Sequence, residues 1–230
     1  VCSSDLLVHR YQRSYVLRGT GVTLARGAAL ALYGSNGAGK TTLLKIIATA
    51  LTPTRGGGRV LGFDLTDRLE LRRRVLIVSH ALGLYPELSG TENLEFALAM
   101  HSIPKAGIGA ALERVGLGGV TTRVRGYSSG MRKRLALAKT LLLRPELILL
   151  DEPFAGIDPI SIADIRELVK DLKRRDIGVL ITDHNVRETL EIVDRACIIY
   201  DGQVLFAGTP DALVVDEDVR RLYLGESFEL

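Results

Sequence analysis

Residues 34–42 read Gly-Ser-Asn-Gly-Ala-Gly-Lys-Thr-Thr, with four residues between Gly34 and Gly39 and then Lys40, Thr41 and Thr42. This is the pattern of a loop that holds phosphate. Gly34, Gly37 and Gly39 let the main chain wrap closely, so that the N–H groups of Ser35, Asn36 and Ala38 can face phosphate oxygens. The positive end of a following helix favours the same negative charge. Lys40 is placed to reach the β- and γ-phosphates, and the Thr41 hydroxyl to hold Mg²⁺. Much later in the chain, Asp151 and Glu152 close the apolar run 147–150. A carboxylate at a strand end beside a phosphate loop suits Mg²⁺, so Asp151 is the expected metal-side residue. Glu152 is the expected base that polarises the attacking water. Taken alone, two adjacent acids after a strand also fit a plain turn.

These groups need a strand before the phosphate loop and a helix after it. The apolar run 28–33 and the helical run 40–51 provide both. Runs 75–78, 147–150 and 178–182 read as further buried strands, and 161–175 as an amphipathic helix. Residues 7–10 and 20–25 read as short edge strands joined by a polar stretch containing Tyr11 and Tyr15. Gly56-Gly57-Gly58 reads as a turn before a short strand at 59–62, and Arg72, Arg73 and Arg74 as a solvated face. Ser89 or Thr91 should cap a helical stretch that runs to residue 143 with breaks at 107–119. A closing hairpin is expected at 196–206 around Asp201-Gly202, followed by two short helices.

The chain has 230 residues, 47% of them hydrophobic and 25% charged, which suits one large α/β domain with an inserted subdomain. The expected division is a core from 7–88 and 145–230, with an inserted helical subdomain at 89–144. Residues 1–6 resemble the translation of a short-read sequencing adapter, so no function is read from Cys2. A net charge of +3 does not imply nucleic acid or an anionic membrane surface. No apolar run reaches the roughly 18 residues of a membrane span, so membrane association is expected to run through a partner. Cys2 and Cys197 lack metal-type spacing and point to a reducing compartment without a disulfide framework. No signal peptide is expected.

Between the phosphate loop and Asp151 lies Tyr127-Ser128-Ser129-Gly130-Met131, in front of a helix. With Asp151-Glu152 downstream and His184 further on, this order resembles the nucleotide-binding subunit of ABC transporters over essentially the whole chain. Ser128 and Gly130 agree with the family's Leu-Ser-Gly-Gly-Gln signature; Tyr127, Ser129 and Met131 do not. The resemblance implies a P-loop NTPase of the ABC class, with a RecA-like core, an antiparallel β edge and an inserted α-helical subdomain.

It also implies roles for single residues. Tyr11 would stack on adenine, and Ser128, Ser129 and Gly130 would face a γ-phosphate. His80 would stand where the family has a glutamine that touches Mg²⁺ or the attacking water. Asp158 would lie in the loop that crosses the dimer interface, and His184 would contact the γ-phosphate and orient water. As isolated residues, Tyr11 is also an ordinary surface tyrosine, His80 a satisfied polar residue at a strand end, and Ser128 a helix cap. An isolated His184 is likewise a capping or core histidine.

The end of the chain, in the stretches 152–161 (Glu152-Pro153-Phe154-Ala155-Gly156-Ile157-Asp158-Pro159-Ile160-Ser161), 178–190 (with Thr182-Asp183-His184-Asn185) and 223–228 (Tyr223-Leu224-Gly225-Glu226-Ser227-Phe228), closely resembles the lipopolysaccharide-export ATPases. The middle, with His80, residues 84–94, Ser129-Gly130-Met131-Arg132 and Arg134-Leu135-Ala136-Leu137-Ala138, is more similar to the haem-exporter ATPases of cytochrome c maturation. The implied activity is ATP hydrolysis with ATP and Mg²⁺, in a head-to-tail homodimer seated on integral membrane permeases at the inner face of the cytoplasmic membrane. Lipopolysaccharide export is the expected task; haem or another export is the alternative, and no direct nucleic-acid contact is expected. A soluble ABC ATPase acting on DNA or ribosomes is the rival class. Chromosome-type members insert long coiled coils before the signature, whereas here 86 residues separate Thr41 from Ser128, without sustained heptads.

Overall fold

The computed structural model describes residues 2–12, 14–79, 83–156 and 159–225. The chain opens with β1 (Cys2–Tyr11), β2 (Ser14–Thr20), β3 (Thr23–Leu24) and β4 (Ala29–Tyr33), followed by α1 (Lys40–Ile47). Next come β5 (Arg55–Val60), β6 (Phe63–Asp64), α2 (Arg68–Arg74) and β7 (Val75–Val78). Three helices follow, α3 (Gly90–Met100), α4 (Ile108–Arg114) and α5 (Ser129–Leu143), and then β8 (Leu147–Asp151) and α6 (Pro159–Arg174). The chain continues through β9 (Gly178–Thr182), α7 (Val186–Leu190), β10 (Arg195–Tyr200), β11 (Gln203–Gly208) and α8 (Pro210–Val215).

Two sheets result. The larger has the order β11-β10-β4-β9-β8-β7, parallel throughout except for the antiparallel edge β11. Its strands alternate sides with period two. Ala29, Ala31, Tyr33, Ile148, Leu150, Val179 and Ile181 enter one core with α3 to α6. Leu30, Leu32, Leu147, Leu149 and Leu180 enter another with α1 and the smaller sheet. Burial on both faces explains why these strands read as unbroken apolar runs; each fully buried leucine contributes about 1.5–3 kcal/mol. Cys197 lies in the second core, where burial pushes its thiol up to about 12 and leaves it inert.

The smaller sheet, β2-β1-β5-β6 with β3 against β1, is antiparallel. Here the structure corrects several sequence expectations. β1 begins at Cys2 rather than at residue 7, and the polar stretch after Tyr11 is itself β2. Gly57 and Gly58 lie inside β5, paired with Asp5 and Ser4, instead of forming a turn. The turn falls at Leu61 and Gly62, whose φ values of 56° and 85° suit a tight hairpin. The phosphate-loop helix ends at Ile47, short of residue 51, because Thr49 turns left-handed (φ 57°) and the Ala50 N–H closes back on the Lys45 carbonyl. The basic run is not simply a solvated face. Arg72 Nε donates to Thr49 Oγ1 at 3.1 Å, and Arg74 pairs with Glu70 and Glu146.

Between β7 and β8 the chain is helical. Ser89 caps α3 in a reciprocal box with Glu92, and Ser128 caps α5 by accepting the Met131 N–H. Leu94, Leu98, Leu112 and Leu135 pack these helices together. Among the described residues no helix is long and apolar enough to cross a membrane.

Candidate active site

The parallel sheet brings its carboxyl ends to one edge, where ligands of open α/β sheets sit. β9 lies between β4 and β8, with Thr182 opposite both Leu32 and Asp151. The loop after β4, the acids after β8 and the histidine after β9 therefore converge.

The phosphate loop is shaped by contacts only glycine permits at two positions. A Cβ on Gly34 would lie 2.3 Å from the Ile199 carbonyl oxygen, and one on Gly39 2.6 Å from Leu17 Cδ2 and 2.9 Å from the Val16 carbonyl oxygen. Gly37, at φ 85°, faces open space. The Ala38 N–H donates to the Ser35 carbonyl at 3.1 Å, while Ser35, Asn36 and Gly37 are exposed and Ala38, Lys40 and Thr42 are buried. No side chain caps the first turn of α1, which keeps the anion-binding end of an eight-residue helix available. Lys40 Nζ donates to the carbonyls of Gly34 at 2.7 Å and Ser35 at 3.1 Å, spanning the loop. Burial pulls its ammonium below the usual lysine range, while the charges of Glu152 and Asp151 act the other way.

Across the loop, Thr41 Oγ1 lies 3.2 Å from both Asp151 carboxylate oxygens, and Thr182 Oγ1 donates to Asp151 Oδ1 at 2.7 Å. A hydroxyl and a carboxylate facing each other beside a phosphate cradle are hard oxygen donors of the kind Mg²⁺ takes. Among the described residues there is no cluster of three His, Cys, Asp or Glu that would make an all-protein cage. That set fits Mg²⁺, which typically keeps one or two protein oxygens and completes its shell with phosphate and water.

Glu152 takes a left-handed conformation at φ 56°, its N–H held by the Thr182 carbonyl at 2.8 Å. His184 Nε2 comes within 2.9 Å of Glu152 Oε1. Sequence reasoning gave no role to Asp183, yet its carboxylate accepts the N–H of Phe154 and of Asn185, each at 2.9 Å. Burial raises its pKa above the ordinary carboxylate range even though those N–H bonds oppose the shift. Thr182 and Asp183 stand directly before His184 in the sequence, and that adjacency was the available signal.

Ser128 and Ser129 are exposed at the start of α5 and Gly130 is buried; Ser129 Oγ donates to the Gly156 carbonyl at 2.6 Å. Among the described residues no hydrogen bond links residues 128–130 to the phosphate loop. Tyr127, in the place of the family's leucine, is buried with its hydroxyl oxygen against Gly90. Tyr11 ends β1 opposite Ser14, about half exposed, with its ring edge-on to His9 at 4.7 Å. The hairpin it belongs to reaches the phosphate loop through Val16 and Leu17, the residues packed on Gly39. His80 and Asp158 lie outside the described residues.

The ABC transporter family model matches residues 17–155, more than half of the chain. The chain belongs to the ABC transporter family. It is an ATP-binding subunit and an ATPase. A probable ABC transporter ATP-binding protein of Azorhizobium caulinodans is 40% identical over 97% of this chain and 83% of the relative. The lipopolysaccharide export system ATP-binding protein LptB of Acidithiobacillus ferridurans is 39% identical over 97% of this chain and 96% of its own. LptB of Escherichia coli K12 is 35% identical over 97% of both. A solved ATP-binding subunit of an ABC transporter superposes with a TM-score of 0.86 at 28% identity, covering 96% of this chain and 94% of the other. An ABC cassette in its ADP conformation, 23% identical, shares the fold with a TM-score of 0.87 over 98% and 99% of the two chains. The phosphate loop, Asp151, Glu152 and His184 thus lie along one sheet edge, and residues 128–130 stand at the start of α5.

Proposed function

We propose that this ABC ATPase is the motor subunit of a lipopolysaccharide exporter, hydrolysing ATP at the inner face of the cytoplasmic membrane in a head-to-tail dimer bound to separate permeases. The observation that carries the hydrolytic part is the Glu152–His184 pair standing beside the Lys40 and Thr41–Asp151 groups. In this reading ATP lies with its phosphates along residues 34–42, its adenine on the open face of Tyr11, and Lys40 turned from the loop carbonyls to the β- and γ-phosphates. Thr41 and Asp151 would hold Mg²⁺, with His80 at its side, and the bound ion would supply positive charge against the transferred phosphoryl group. Glu152 takes a proton from the attacking water, and His184 holds Glu152 and that water in line with the γ-phosphate. Serines 128 and 129 and Gly130 of the second copy close the same nucleotide from the opposite side, and Asp158 lies at the crossing between copies.

The division into a core of 7–88 and 145–230 and an inserted helical subdomain of 89–144 belongs to the same reading. Relatives named as lipopolysaccharide export proteins, matched along nearly their full length, support the choice of cargo. The test is replacement of the resident protein in a strain depleted of its own lipopolysaccharide-export ATP-binding subunit. Restored growth and surface lipopolysaccharide are expected. Failure in that strain together with restored cytochrome c maturation in a haem-exporter mutant would transfer the chain to the second subfamily.

A further inference from the structure

Ser129 and Lys133 lie one helical turn apart on the same face of α5, and both reach the main chain of the turn that carries Glu152. Ser129 Oγ ends on the Gly156 carbonyl. Lys133 Nζ donates to the carbonyls of Glu152 at 3.0 Å, Pro153 at 3.0 Å and Ala155 at 2.5 Å. An ammonium has three N–H donors and no acceptor, so its whole bonding capacity falls on one turn. From the opposite side, the Asp183 carboxylate holds the Phe154 N–H and the Thr182 carbonyl holds the Glu152 N–H. Glu152 needs such restraint, because its left-handed conformation is unfavourable for a residue with a side chain and persists only where surroundings impose it. A cavity of about 20 Å³ is bounded among others by Ser79, Lys133, Asp151 and Glu152. Burial lowers the Lys133 pKa, with the charges of Asp183 and Glu152 opposing that shift.

We propose that Lys133 is a positioning residue for ATP hydrolysis: by gathering three carbonyls of the turn 152–155, it holds Glu152 in the conformation that meets His184. This rests on the reading of Glu152 as the group that polarises water. It also makes the first turn of α5, which carries the signature, mechanically continuous with the turn that carries the base.

The test uses the full chain with Lys133→Met, which keeps the stem and removes the donors, and Lys133→Arg, which restores several donors. Lys133→Met should lower kcat by about 10²-fold while affinity for a non-hydrolysable ATP analogue stays within about twofold, and Lys133→Arg should recover most of the rate. In a Glu152→Gln background, Lys133→Met should slow the residual turnover no further, because the group it positions is gone. An unchanged kcat in Lys133→Met, or an equal further loss in the Glu152→Gln background, overturns the proposal while leaving Glu152 as the base. Near-normal turnover in Glu152→Gln alone removes the underlying reading instead. If Lys133→Met does not fold, Lys133→Gln, with two donors and no charge, is measured against the same outcomes.

Discussion

His184 Nε2 stands 2.9 Å from Glu152 Oε1, joining the loop after β9 to the residue that follows β8. Both side chains are partly exposed, and both belong to loops whose main chains are cross-linked through Thr182 and Asp183. This contact fixes where a water must sit if it is to be polarised and aimed together.

Glu152→Gln keeps the side chain's size and its hydrogen bond to His184 but removes the basic oxygen. Its kcat should fall by about 10²–10⁴-fold with ATP affinity retained, and the protein should accumulate as an ATP-bound dimer. Rapid-quench turnover and sedimentation with ATP check this, and turnover close to the parent's would remove Glu152 from the base role.

Asp151→Asn removes the negative charge opposite Thr41 while keeping one oxygen for Thr182. The Mg²⁺ concentration for half-maximal activity should rise by about tenfold or more, with metal-free nucleotide binding little changed. An unaltered Mg²⁺ titration would place the ion elsewhere.

A Cβ on Gly90 would meet the Tyr127 hydroxyl oxygen at 2.8 Å. Gly90→Ala should therefore destabilise the fold by about 1–3 kcal/mol, because Tyr127 is buried and cannot swing aside freely. Tyr127→Leu in the same chain removes the obstructing oxygen and should recover much of the loss. Denaturant unfolding of the two variants decides it; equal stability of Gly90→Ala and the parent contradicts the contact.

Burial raises the Asp183 pKa in the folded chain above its unfolded value. A raised folded pKa means that folding takes up a proton at this group. Its contribution to stability is therefore complete below the unfolded value and lost as the pH climbs through the folded one. The stability advantage of the parent over Asp183→Asn should be largest at acid pH and shrink toward neutrality. Unfolding midpoints of both proteins across that range measure it, and an advantage that grows with pH would reverse the assignment.

Much of this site is legible along the chain because its parts are local. The phosphate loop is a strand, a glycine turn and a helix in succession, and Asp151 and Glu152 announce themselves by ending an apolar run. The parallel sheet is equally readable, since burial on both faces makes β8 and β9 continuous hydrophobic stretches. What escaped depends on partners distant in sequence. Gly57 and Gly58 look like a turn until Asp5 and Ser4 pair with them. Arg72 looks solvated until Thr49 turns left-handed beneath it. Lys133 is an unremarked lysine in a basic helix until the fold brings the carbonyls of 152–155 to its ammonium.

In the function proposed above, each nucleotide is closed by the phosphate loop of one copy and residues 128–130 of the other. Mixing Lys40→Ala chains with Ser128→Glu chains tests it directly, since each alone should be inactive. A mixed head-to-tail dimer contains one site with both lesions and one with neither, so ATP turnover should return on mixing to a substantial fraction of the parent rate. Turnover in the mixture no greater than the sum of the two separate preparations would contradict the shared site.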